Sequence, residues 1–307
     1  MRPSRRTMLL AAPATVAGAV GGALLARSSG DTVPRPSAAS PAGGRAGDAG
    51  GVSAPAVGTA TPTVDAAAPV PGGPPAVSRT TFPSAARGRT VSVTVVSPAG
   101  AAVDGLPVCL VLHGRGDDAR HAVTLLGLDT ALADTVRAGV PPFTVVAVDG
   151  GETYWHPRAS GDDPERMILG EVLPRLADQG LRTSRLAVIG WSMGGYGALL
   201  FARRHPDLVV AVAASSPALW RAYGASAPGA FDSAADFTAH RILGEPPAPG
   251  VAYRIDCGQR DPFYAVSRQV ADDLAAVARG FGPGGHDPAY WRAVTPAQLA
   301  FVGRALE

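Results

Sequence analysis

The sequence predicts an α/β fold: a mostly parallel, doubly wound sheet flanked by helices and built as a single domain. Three observations carry that expectation. Six short apolar runs, at residues 90–96, 108–112, 143–148, 186–189, 209–214 and 253–257, are mostly continuous rather than alternating, as strands covered on both faces are. Segments of helical character separate them, and strand–helix alternation with right-handed crossovers makes a parallel sheet. One run, Leu186-Ala187-Val188-Ile189, feeds directly into Gly190-Trp191-Ser192-Met193-Gly194-Gly195 and then Tyr196-Gly197-Ala198-Leu199, a strand, a tight turn and a helix in succession.

The helical segments have their own signals. Residues 164–177 carry apolar side chains at 167, 168, 172, 173 and 176, with Asp162 and Asp163 set to cap the start. Residues 196–204 follow the tight turn and stop at His205-Pro206. Residues 262–279 and 296–306 each begin with proline in the first turn and continue in helix formers. The stretch 220–249 is longer than a simple connection, and its Trp220, Tyr223, Phe231 and Phe237 either wall a pocket or pack on the domain's own surface.

Composition divides the 307 residues into three parts. Residues 28–77 are almost entirely Ala, Pro, Gly, Ser, Thr and Val, cannot bury enough apolar surface to offset ordering, and predict a disordered linker. Ahead of them, residues 1–27 read as a twin-arginine signal or anchor: Ser4-Arg5-Arg6-Thr7-Met8-Leu9-Leu10 runs into an uncharged apolar stretch at 8–26. No clean Ala-x-Ala cleavage site follows, so the expectation is either release or a membrane tether through residues 8–26. Both place residues 78–307, ample for one α/β core, outside the cytoplasm, extracellular or in the cell envelope.

Several function classes drop out. The net charge of +2 is spread along the chain, so no nucleic-acid partner is expected. All 27 basic residues are arginine, which removes lysine bases, Schiff bases and the phosphate-binding G-x-x-x-x-G-K-S/T loop. The histidines are scattered and the two cysteines lack paired spacing, so no metal and no cofactor is expected. Cys109 and Cys257 sit in runs that this fold separates by two strands, too far for a bridge, and predict two buried thiols.

The candidate chemistry centres on Ser192. Glycines at 190 and 194 let strand and helix backbones approach, lifting the hydroxyl clear of the sheet and leaving the Met193 N–H at a helix start. The plain alternative is an ordinary strand–helix turn. A serine hydroxyl needs an imidazole to take its proton, and His286, on the Gly282-Pro283-Gly284-Gly285-His286 loop near the end of the chain, is the candidate base. Asp261, just past the run at 253–257, is the candidate carboxylate to orient it, and with Pro262 it also reads as a helix cap. Asp256 lies inside the strand and Asp287 too close in sequence. The loop His113-Gly114-Arg115-Gly116 offers a second oxyanion donor, the Arg115 N–H, with its guanidinium left free for substrate and His113 pinning the loop. Substrate contacts are expected from Trp220, Phe231 and Trp291.

Together, Leu112-His113-Gly114, Glu171-Val172-Leu173-Pro174, the Gly190–Gly195 turn, Asp261-Pro262 and Gly285-His286-Asp287-Pro288-Ala289-Tyr290-Trp291 resemble the putative esterase family. This is the esterase D, feruloyl esterase and mycolyltransferase group of the α/β-hydrolase superfamily, and the similarity spans roughly residues 106–307. The resemblance implies the α/β-hydrolase fold, a triad of Ser192, Asp261 and His286, and oxyanion donors at Met193 and Arg115. Mycolyltransferases typically carry Asp-Gly where this chain has His113-Gly114, which leans the reading toward ordinary esterases. The expectation is therefore an exported serine esterase that cleaves small-molecule or lipid or sugar esters through an acyl-enzyme. The alternative is an acyltransferase whose acceptor is a sugar or lipid hydroxyl, and a third reading is a surface binding protein with a decayed site.

Overall fold

The computed structural model describes residues 75–307. The signal or anchor expected at 1–27 and the linker expected from 28, up to residue 74, lie outside the described residues. The chain enters the fold as an antiparallel hairpin of β1 (Ala76–Ser84) and β2 (Arg89–Ser97), with Val77 opposite Val96. The folded domain thus begins two residues ahead of the expected boundary at 78. β1 carries no apolar signal because most of its side chains face solvent.

Six further strands complete one sheet: β3 (Pro107–Leu112), β4 (Thr144–Val148), β5 (Arg182–Trp191), β6 (Val209–Ser215), β7 (Ala252–Asp256) and β8 (Ala278–Gly280). The order is β1-β2-β4-β3-β5-β6-β7-β8, with β1 to β4 joined by two antiparallel pairings and the rest parallel. Alternation along each strand feeds two cores. Val108, Leu110 and Leu112 of β3 enter one, and Cys109 and Val111 the other. Helix α5 (Met193–Arg204) covers the first face; α1 (Ala119–Leu126), α2 (Leu128–Arg137) and α8 (Pro288–Ala305) cover the second. Each fully buried side chain such as Leu110 or Ile189 contributes about 1.5–3 kcal/mol. Both cysteines are free and buried, with β5 and β6 between their strands; burial pushes the Cys257 thiol up to about 12 and the Cys109 thiol higher.

The segment expected as one helix at 164–177 is α3 (Pro164–Met167), one π turn (Ile168–Val172) and α4 (Leu173–Asp178). Pro174 has no N–H to return to the preceding turn, and the Leu173 N–H instead reaches the Ile168 carbonyl five residues back. Asp163 caps the start, its carboxylate accepting from the Arg166 N–H at 2.8 Å, whereas Asp162 pairs with Arg87.

Two expected helices differ in extent. The segment 262–279 is helical only in α7 (Tyr264–Asp273); Ala275 turns left-handed at φ 48°, and Ala278–Gly280 joins the sheet as β8 beside β7. Helix-forming residues yield here to strand pairing. The last helix starts not at 296 but at Pro288, where Asp287 caps the Tyr290 N–H at 3.0 Å, so Pro296 lies inside it. A short α6 (Ala234–Ala239) lies in the long 220–249 excursion. Among the described residues no helix is long and apolar enough to cross a membrane.

Register levels the carboxyl ends of the central strands: Leu112 aligns with Gly190, Trp191 with Ser215, and Ser215 with Asp256. The loops that follow β3, β5, β6 and β7 therefore share one rim, where open α/β sheets form their sites.

Candidate active site

Ser192 stands at the apex between β5 and α5 with φ 53° and ψ −117°, a conformation that costs a non-glycine residue energy and persists only where the surroundings impose it. Those surroundings are backbone. A Cβ on Gly190 would fall on the Gly194 carbonyl, and one on Gly194 would fall on the Leu112 carbonyl of β3. The Ser192 N–H donates to the Ser215 carbonyl at 3.0 Å, and the Ser192 carbonyl accepts from Tyr196 and Ala218. Crowding on three sides leaves the side chain aimed at the rim.

The loops after β7 and β8 are stitched together. The Gln259 and Arg260 N–H groups donate to the Gly282 and Gly284 carbonyls at 2.9 Å, and a Cβ at Gly258 would lie 2.5 Å from the Gly284 carbonyl carbon. This close approach brings the two loops' side chains together. His286 Nδ1 lies 2.9 Å from Asp261 Oδ2, and His286 Nε2 lies 2.9 Å from Ser192 Oγ. Burial works against the charge on Asp261, but hydrogen bonds from His286 (2.9 Å) and the Phe263 N–H (2.8 Å) outweigh it and hold the carboxyl below its usual range. Asp261 does not cap a helix that begins at Pro262. Its Oδ1 instead closes the turn before α7, which begins at Tyr264. Asp256 is held elsewhere, against Arg254 and Gln298, and burial raises its pKa.

Met193 is the first residue of α5, where an N–H has no intrahelical partner. The Arg115 N–H makes no backbone hydrogen bond among the described residues. Its loop is pinned by His113, whose Nδ1 lies 2.7 Å from the Gly114 carbonyl and whose Nε2 accepts from the Gly150 N–H at 3.0 Å. Burial lowers the His113 pKa, keeping a neutral ring that can accept there. The Arg115 guanidinium borders the cavity and pairs there with Glu152 at 3.0 Å, an exposed ion pair worth little against a substrate anion. That carboxylate comes from the β4 loop, a neighbour that local sequence around Arg115 gives no sign of.

Ser192 and His286 open into a cavity of about 380 Å³, also lined by Arg115, Asp117, Tyr154, Trp220, Phe263 and Trp291. Trp220 and Trp291 are thus where the sequence places them. Phe231 is not; it lies behind the wall, packed against Tyr154, Trp220 and the face of His156. Tyr154 and Phe263 escaped sequence reasoning. Tyr154 follows β4 onto the same rim in Gly150-Gly151-Glu152-Thr153-Tyr154-Trp155, so its position after a strand end is the signal that could have found it.

Among the described residues, His156, Asp236 and His240 bring donor atoms close enough to consider an ion. The two rings stack 4.3 Å apart at 26°, so their in-plane lone pairs run side by side rather than converging. Both His156 nitrogens already face carbonyls, of Pro157 and Ala230, at 3.0 Å. The group ties the 220–249 excursion to the β4 loop instead.

A serine on a strained strand–helix apex, hydrogen-bonded to a histidine and through it to an aspartate on a mixed eight-stranded sheet, defines the α/β-hydrolase class. The chain belongs to the Putative esterase family, whose model matches residues 84–301. Similar solved structures include a ferulic acid esterase, at 21% identity and TM-score 0.67 over 76% of this chain and 99% of that one. S-formylglutathione hydrolase from Staphylococcus aureus aligns at 19% identity and TM-score 0.60, over 75% of this chain and 99% of that one. MPT51 of Mycobacterium tuberculosis aligns at 18% identity and TM-score 0.55, over 76% and 99%. No curated protein matches the chain in sequence.

Proposed function

We propose that the protein is an exported serine esterase that hydrolyses carboxylic esters through an acyl-enzyme. The observation that carries this reading is the unbroken relay from Ser192 Oγ through His286 to Asp261, both links 2.9 Å. His286 Nε2 takes the hydroxyl proton as Ser192 Oγ attacks the ester carbonyl, and Asp261 fixes the tautomer and stabilises the imidazolium. The tetrahedral oxyanion is met by the Met193 and Arg115 N–H groups, each such donor worth about 10²–10³ in rate. The imidazolium returns its proton to the leaving alcohol. Water, deprotonated by the same nitrogen, then releases the acid and regenerates the serine.

Aromatic walls from Tyr154, Trp220 and Phe263 favour a flat or apolar acyl group over a charged one. The ferulic acid esterase among the structural neighbours fits that preference. Export rests on the paired Arg5-Arg6 ahead of the uncharged stretch 8–26, and cell fractionation of the full chain tests it.

The test of the activity is a panel of aromatic and alkanoyl esters with the wild type and Ser192→Ala. Turnover is expected of the first and none above background of the second. Turnover retained in Ser192→Ala overturns the assignment of the nucleophile. Acyl transfer to a sugar or lipid hydroxyl is the second reading, since the same acyl-enzyme on Ser192 can pass its acyl group to an alcohol in place of water. Added alcohols or trehalose that divert product from acid to ester would select it.

A further inference from the structure

His286 is held in its relay by two hydrogen bonds, to Asp261 and to Ser192, both 2.9 Å. Bonds at ring nitrogens lie in the plane of the imidazole, so they fix distances but leave the plane free to rock about the line joining the two partners. Two aromatic rings restrain that plane. Trp291 stands perpendicular to it, centroids 5.1 Å apart at 90°, and Phe263 lies tilted at 5.4 Å and 57°. Edge-to-face contact at this separation is a favoured arrangement. Phe263 has no polar atom to fix its own plane, whereas Trp291 has one. Its Nε1 donates to Ser216 Oγ at 3.1 Å, and it packs on Trp191 at 6.2 Å. Ser216 is itself fixed: fully buried after β6, it sits at φ 47° with its N–H donating to the Asp256 carbonyl of β7 at 2.7 Å. A serine takes that left-handed conformation only where its surroundings impose it. The indole is therefore anchored to the sheet, and its N–H is spent on a buried hydroxyl rather than offered to the cavity.

We propose that Trp291 is a positioning residue for the relay: its ring, set by the hydrogen bond to Ser216, holds the plane of His286 so that both imidazole nitrogens meet their partners at once. This rests on the reading of Ser192, His286 and Asp261 as the catalytic residues. The local chain supports it. His286 directly precedes Asp287, whose carboxylate caps the Tyr290 N–H at 3.0 Å and whose carbonyl accepts from the Trp291 N–H at 3.2 Å. The histidine loop and the tryptophan thus ride on the same first turn of α8. A ring that only touched substrate would act on binding, whereas one that holds the base acts on the chemical step.

The test uses the full chain with Trp291→Leu, Trp291→Phe and Ser216→Ala. Leucine stays apolar but removes the perpendicular ring, phenylalanine keeps a ring without the indole N–H, and alanine at 216 removes the acceptor. Trp291→Leu is expected to lose about tenfold or more in kcat, the scale of a misplaced catalytic group, with KM within about twofold of wild type. Trp291→Phe and Ser216→Ala should each cost about threefold, the scale of one neutral hydrogen bond, and the double variant no more than either alone. The low-field proton resonance of His286 Nδ1 should shift or broaden in all of them. If leucine fails to fold, the two milder variants carry the test, and wild-type kcat in both overturns the proposal. An unmoved low-field proton in the folded variants also overturns it. So does a raised KM with wild-type kcat, which would make the ring a substrate contact. Fluorophosphonate labelling separates the two levels. A labelled wild type with normally active Trp291 and Ser216 variants defeats only the positioning role, whereas an unlabelled wild type defeats the relay and this proposal with it.

Discussion

On one side of the pocket, Ser192, Asp261 and His286 hang from loops whose places are set by backbone contacts: Gly190 and Gly194 against β3, and Gly258 against Gly284. On the other side, Tyr154, Trp220 and Phe231 hold one another ring against ring, and Arg158 and His156 pin the excursion that carries two of them. The first wall tolerates no change in main-chain spacing, since a single Cβ at Gly194 would collide with a neighbouring strand. The second is made of side chains and can be recut without moving the sheet. Chemistry therefore sits on the rigid wall and substrate shape on the adjustable one.

The largest effect on the rigid wall is expected from Asp261→Asn. The variant keeps the shape of the rigid wall but leaves His286 with the wrong tautomer, and it should lose about 10⁴-fold in kcat while remaining folded. Steady-state kinetics on a good ester checks it, and a loss of less than tenfold would move the orienting carboxylate elsewhere. Phe231→Ala tests the other wall. Phe231 is buried and touches Tyr154, Trp220 and Phe237, so truncation should cost about 3–5 kcal/mol of stability by denaturant unfolding. It should shift acyl-chain preference through KM while kcat on a small acetyl ester stays within about threefold. A collapse of kcat on every ester would mean that the walls are not separable.

A smaller effect is expected from acid. The Arg158 hydrogen bond, with help from the Ala159 N–H, depresses the Asp232 pKa to about 2 from 3.8. A depressed carboxylate contributes stability that is complete above its unfolded value and is lost as pH falls through the folded one. The clamp should therefore loosen between about pH 4 and pH 2. Asp232→Asn should remove that part of the pH dependence of the melting temperature. Because the Asp232 side chain is about a third exposed, solvent screening keeps the contribution within about 1 kcal/mol.

Where backbone decides position, sequence speaks plainly. The glycine pair around Ser192, the aspartate just past a strand end and the histidine on a glycine-rich loop each carry a local pattern, and the structure joins these three side chains in one chain of hydrogen bonds. All six apolar runs lie in the sheet. What stayed hidden depends on partners remote in sequence. The depth of Phe231 is fixed by His156 from the β4 loop, and the occupation of Arg115 by Glu152 from the same loop. β1 is solvent-facing and has no apolar run to announce it, and β8 is three residues, Ala278 to Gly280, without an apolar run of their own, paired to β7.

The central claim is that His286 and Asp261 make the Ser192 hydroxyl a nucleophile. Treating the protein with a fluorophosphonate and mapping the adduct by peptide mass spectrometry measures that property directly, without knowledge of the natural ester. One adduct is expected, on Ser192, formed rapidly in the wild type and not detectably in His286→Ala. An adduct on another residue, or labelling of Ser192 that is indifferent to the loss of His286, would contradict it.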